Sequence, residues 1–111
     1  MVSVTVAVRD GENWVDDCIQ SLVDQTHRPL EIIAVNDGSS DGTAERLAEW
    51  SDESGEVNGV SIRILNQDAH GLAAARQYAF EESRGEWVAI TDIDCLPYPT
   101  WIEFLLAQSS G

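Results

Sequence analysis

Four short runs of β-branched and small apolar residues punctuate this chain, at Val2–Val8, Leu30–Val35, Val60–Leu65 and Trp87–Ile90. Each is too short for a buried helix, and each is followed by a longer stretch whose apolar residues recur at helical spacing. Connections of that length are not hairpins, and strand–helix alternation of this kind folds as a parallel sheet covered by helices. The sequence therefore predicts an α/β fold, a mostly parallel sheet with helices on both faces, four strands and four helices, in a single domain over residues 1–111.

The first helix is expected from Trp14 to about Gln25, burying Trp14, Val15, Cys18, Ile19, Leu22 and Val23. The second follows a cap at Ser39, Ser40 or Asp41 and runs to about Glu53 on Ala44, Leu47, Ala48 and Trp50. The third takes residues 71–84, with Leu72, Ala75, Ala79 and Phe80 on one side and Gly85 as its stop. The fourth takes residues 99–108, with Trp101, Ile102, Leu105 and Leu106 inward. Residues 55–59 read as a mobile polar loop, and the tryptophans as core.

Ligands of open α/β sheets bind beyond the carboxyl ends of the strands. At those ends stand Arg9 and Asp10, Asn36 and Asp37, Asp68 and His70, and Asp92 and Asp94. The last pair breaks an apolar run abruptly. Two carboxylates so close are costly to bury without a cation or open water, so a divalent metal is one reading; the other is that they start a loop and cap the helix after Pro99. If the strand continued, their Cβ atoms would stand ~6 to 7 Å apart, so the chain is expected to bend after Asp92. Mn²⁺ or Mg²⁺ suits such oxygen donors.

Asp37 is a candidate to accept a hydrogen bond from a ligand, for instance the imide of uracil, a donor that cytosine lacks. Asp41 reads as a helix cap. Arg76 is either half of a surface ion pair with Glu12, Glu81 or another acid, or a charged fork for phosphate or a nucleobase carbonyl. His70 reads as a loop residue and Cys95 as a small buried side chain.

Twenty acidic residues stand against six basic ones, all of them arginine, for a formal net charge of -14. That balance argues against nucleic acid as a partner. Molar salt shortens the Debye length to about 3 Å and makes such self-repulsion tolerable, so a halophilic, archaeal cytoplasm is expected. An ordinary acidic protein tuned for solubility would explain the acid surplus but not the missing lysines. Cys18 and Cys95 have neither metal-site spacing nor a disulfide framework around them. No run has the flank of a signal peptide or the length of a membrane span. The chain is expected to be cytoplasmic, or held at the cytoplasmic face of the membrane as part of a longer protein.

Taken in order, Val4-Thr5-Val6-Ala7-Val8-Arg9-Asp10, Gln25-Thr26 with residues 30–43, Gly71-Leu72-Ala73-Ala74-Ala75-Arg76 and residues 85–94 resemble the inverting glycosyltransferases of family 2. These use the GT-A fold, a Rossmann-like nucleotide-binding half, and nucleotide-diphosphate sugars. The resemblance implies that Ala7, Val8 and Arg9 at the first strand tip, with Asp37, hold the uracil or related base. It also implies that Gly71 and Arg76 belong to the nucleotide site, that Asp92 contacts ribose or a metal-bound water, and that Asp94 binds the metal on the diphosphate. Ala7 stands where the family usually has proline, Arg9 where an aromatic often stacks on the base, Asp10 where asparagine is usual, and Asn36 where an acid is usual.

Family members continue into acceptor-binding strands and a carboxylate that acts as general base. The resemblance thus implies a nucleotide-binding part that does not transfer alone and whose base lies beyond it. Its implied partners are a UDP- or GDP-linked sugar, a C-terminal half or membrane-associated acceptor, and a second copy at the open edge of the fourth strand. Two other readings compete: a non-catalytic nucleotide-binding or assembly module of the same fold, and a nucleotidyltransferase, for which no glycine-rich basic phosphate loop is present.

Overall fold

The alternation read from the sequence is present and carries one further strand. The computed structural model describes residues 1–51 and 55–109. β1 (Val2–Val8) leads through α1 (Val15–Val23) to β2 (Leu30–Asp37), and α2 (Thr43–Trp50) leads to β3 (Glu56–Val57) and β4 (Val60–Gln67). α3 (Leu72–Glu82) connects to β5 (Trp87–Asp92), and α4 (Trp101–Ser109) follows. The five strands form one mixed sheet in the order β3-β4-β2-β1-β5, parallel except where β3 meets β4.

β3 lies in the segment expected to be a mobile loop. Asn58 and Gly59 take positive φ values of 51° and 78°, the two-residue turn whose twist suits a hairpin, and Val57 pairs with Val60 across it. The expected end of the second helix near Glu53 lies outside the described residues.

β1 and β2 are central, and every residue of both is buried. On one face, Val2, Val4, Val6 and Val8 join Ile32, Ala34 and Ile62 against α1, Leu47 of α2 and Ile102 of α4. On the other, Ala7, Ile33 and Val35 pack on Ala75 and Ala79 of α3. Those two alanines are the only α3 residues that are buried, so the apolar side expected of this helix is narrower than read: Leu72 and Phe80 are exposed. α3 stops at Glu82, before Gly85. Gly85 is required for a different reason: its N–H donates to Ser3 Oγ at 2.8 Å, and a Cβ there would stand 2.7 Å from Met1 O and Ser3 N.

β5 pairs with β1 alone and forms one edge of the sheet. α4 supplies Ile102 and Leu106 to one side of β5, α3 packs on β1 and β2 instead, and Ile90 is 59% exposed. Two of the four tryptophans expected in the core, Trp50 and Trp101, are partly buried and pack against it. Trp87 is 51% exposed and Trp14 48%. α1 begins at Val15, so Trp14 precedes the packed stripe. Among the described residues no helix is long and apolar enough to cross a membrane.

Candidate functional site

Because β1, β2, β4 and β5 are parallel, their carboxyl ends share one edge. Ala7 of β1 sits in register with Asp92 of β5, and Asp37 of β2 with Gln67 of β4. A cavity of about 310 Å³ opens there, lined by Ala7, Val8 and Arg9, the indole of Trp14, Leu72, and residues 92–94. Arg9 is the cation of that lining and is exposed. Trp14 and Leu72 are walls that sequence reading assigned to helix interiors; the available signal was that each stands at the first turn of its helix, directly after a strand-tip loop.

The tips of β1 and β2 are laced together by side chains. Asp10 Oδ1 accepts the Ser40 N–H at 2.7 Å, the Asp10 N–H donates to Ser39 Oγ at 2.9 Å, and Glu12 Oε2 accepts the Gly42 N–H at 3.0 Å. Asp41 Oδ1 accepts the Thr43 hydroxyl and, at 2.9 Å, the Thr43 N–H. These bonds, the hydroxyl foremost, hold the Asp41 carboxyl below its ordinary range. Gly42 takes the N-cap position of α2 without a side-chain cap, so Asp41 makes a turn onto Thr43 and does not cap the helix as expected.

Asp37 is 0% exposed and is not part of the cavity lining. Its Oδ1 accepts Gln67 Nε2–H at 2.8 Å and the His70 N–H at 2.9 Å, and its Oδ2 accepts the Gly71 N–H at 3.1 Å. The Gln67 bond first, then the His70 bond, lower its pKa, and the charge of Arg9 adds to them. An ionised carboxylate has about four acceptor sites, and protein donors take three of those of Asp37. Asp37, expected to accept a hydrogen bond from a base, thereby fixes the loop that leads to Gly71, the N-cap of α3 at φ 101°. His70 is exposed and joins this network through its backbone.

The chain bends where expected. β5 ends at Asp92, and the Cys95 N–H donates to Asp92 O at 3.0 Å to close a turn. The turn brings ligand atoms of Asp92, Asp94 and Cys95 within 4.8 Å of one another, all on exposed residues. Cys95 was expected to be buried; the turn carries it out of the sheet into solvent. Cys18 is the buried thiol, 3.8 Å from Asp92 O, and burial above all pushes its pKa up to about 12, with Cys95 and Asp94 adding. Arg76 Nη2 donates to Asp92 Oδ1 at 3.3 Å in an exposed ion pair, so Asp92 is the acid of the expected surface pair. The donor set of two carboxylates and a thiol fits a divalent cation, the oxygens suiting Mn²⁺ or Mg²⁺.

A cavity at the carboxyl edge of a parallel sheet, lined by an arginine and paired acids, is where open α/β sheets bind ligands. Residues 3–109 match glycosyl transferase family 2, and the chain belongs to that family. It is 34% identical over 108 residues to the uncharacterized glycosyltransferase YibD of Escherichia coli (strain K12), covering 97% of this chain and 30% of that one. Its fold is similar to a crystal structure of S. aureus TarS residues 1–349 in complex with UDP-GlcNAc, with TM-score 0.77 and 22% identity over 98% of this chain and 30% of the other. It is also similar to the mannosyltransferase PcManGT from Pyrobaculum calidifontis in complex with GDP-Man and Mn²⁺, with TM-score 0.78 and 26% identity over 88% of this chain and 29% of that one. The chain spans under a third of the length of relatives such as YibD.

Proposed function

We propose that these residues are the donor-binding part of an inverting family 2 glycosyltransferase that takes a UDP- or GDP-linked sugar. The observation that carries this reading is the cavity at the carboxyl edge of the sheet, whose lining joins Arg9 with Asp92 and Asp94. Ala7, Val8 and Arg9 line the place for the base, with Arg9 offering its fork to a carbonyl or phosphate oxygen. Asp37, through Gln67, His70 and Gly71, holds the start of α3 and so places Arg76 for the nucleotide. Asp94 and Asp92 would hold Mn²⁺ or Mg²⁺, and Asp92 also serves a ribose hydroxyl or a metal-bound water. When bound, the cation offsets the negative charge of the leaving nucleoside diphosphate. In a chain of net charge -14 an anionic ligand needs such a counter-charge. The bound groups named for TarS and PcManGT, UDP-GlcNAc and GDP-Man with Mn²⁺, support the donor class and the cation.

On this reading the acceptor site and the base for inversion come from outside these residues, the acceptor being membrane-associated, and the chain alone binds without transferring. The open β5 edge is where further chain or a second copy adds. The acidic surface belongs to a salt-rich cytoplasm, so the melting temperature should climb with KCl, and equal melting in dilute and molar salt would argue against a halophilic source. Calorimetric titration of UDP and GDP in molar KCl with Mn²⁺ tests the donor reading: saturable binding of at least one is expected, and no binding of either would overturn it.

A further inference from the structure

The turn after β5 holds a third donor beyond the two carboxylates. The Cys95 N–H closes this turn on Asp92 O, and that closure swings its side chain to the same side as the acids. Cys95 Sγ lies 4.0 Å from Asp94 Oδ1, and ligand atoms of Asp92, Asp94 and Cys95 all lie within 4.8 Å of one another. Neighbouring donors on one ion, at bond lengths of about 2.1 Å for oxygen and 2.3 Å for sulfur, stand roughly 3 to 4 Å apart. Modest rotations of exposed side chains close that gap, and water can fill the remaining positions. The other thiol, Cys18, is buried and turns its S–H toward Asp92 O at 3.8 Å.

We propose that Cys95 is the third protein ligand of the divalent cation, which makes the site a mixed oxygen–sulfur one that favours Mn²⁺, Co²⁺ and Zn²⁺ over Mg²⁺. This rests on the reading of Asp92 and Asp94 as the cation's carboxylates. Carboxylates alone suit Mg²⁺ and Mn²⁺ alike, whereas a thiolate strengthens the hold on softer ions. On binding, the thiol proton passes to solvent, a sulfur lone pair forms the bond to the cation, and nothing is oxidised or reduced.

Two titrations on the full chain with UDP or GDP separate this inference from the reading beneath it: Co²⁺ followed by near-ultraviolet thiolate-to-cobalt absorption, and Mn²⁺ followed by electron paramagnetic resonance. Co²⁺ should raise a saturable charge-transfer band that is lost in Cys95→Ser and kept in Cys18→Ala. Cys95→Ser should still bind Mn²⁺ but yield it to Mg²⁺ at roughly tenfold lower Mg²⁺ concentration. Co²⁺ that displaces Mn²⁺ without any band, or a band that survives Cys95→Ser, overturns the third ligand and leaves the carboxylates standing. If neither Mn²⁺ nor Co²⁺ binds, the carboxylate reading falls and the third ligand with it.

Discussion

At the end of β2, Asp37 is buried and gives its carboxylate to Gln67, His70 and Gly71, whereas at the end of β5 Asp92 and Asp94 stand in solvent beside an exposed arginine. The same contrast runs down the strands themselves. β2 is flanked by β1 and β4 and buried at every residue; β5 has one neighbour and one covered face. An acid in the middle of the sheet must be satisfied by protein donors, because water does not reach it. An acid at the edge is satisfied by water and stays available to a cation. Position across the sheet, more than residue type, divides acids held by protein donors from acids left open to solvent.

Core substitutions should break this contrast most visibly. Ile32→Ala in β2 removes a side chain that is fully buried and should cost about 2–5 kcal/mol in urea unfolding. Ile90→Ala in β5, at 59% exposure, should fall within about 0.5 kcal/mol. Equal losses at the two positions would mean that the β5 edge is as closed as the centre.

The acids should separate next. Asp37→Asn turns an amide donor toward backbone N–H groups and should lower the melting temperature by several degrees, while Asp92→Asn should leave it near wild type. Because the Asp37 carboxyl pKa is depressed, its stabilising contribution is complete above the unfolded carboxylate value of about 3.9 and fades as pH falls through the lower folded value. Asp41 contributes in the same sense. Stability should therefore drop on the acid side of about pH 4, more shallowly in Asp37→Asn; identical acid limbs for the two proteins would detach Asp37 from the effect. Arg76→Ala should likewise change stability little. Its exposed pair with Asp92 is worth less than about 1 kcal/mol, yet nucleotide affinity should fall severalfold, and unchanged affinity would remove Arg76 from the nucleotide site.

The sheet and its helices were legible because period-2 apolar runs and helical stripes are local patterns. The open face of β5 was not, since Val88-Ala89-Ile90 reads the same whether or not anything covers it. Asn58-Gly59 carried a hairpin signal, but one flanked by strands too short to stand out among long crossovers. The bonds that occupy Asp37 come from residues 30, 33 and 34 positions away, a separation no window reveals. Arg9, Asp92 and Asp94 could be named as strand-tip residues from order alone. Trp14, Leu72 and Cys95 joined them only once the turns were folded.

The most direct measurement is the melting temperature of wild type and Asp94→Asn in molar KCl, with UDP or GDP, in Mn²⁺ and in EDTA. With nucleotide at a hundred times its dissociation constant, wild type should gain about 2.7 kcal/mol in Mn²⁺ and lose most of that gain in EDTA. Asp94→Asn should melt like unliganded wild type in both. An equal gain in Mn²⁺ and EDTA, or a full gain in Asp94→Asn, would contradict a cation and diphosphate held at the end of β5.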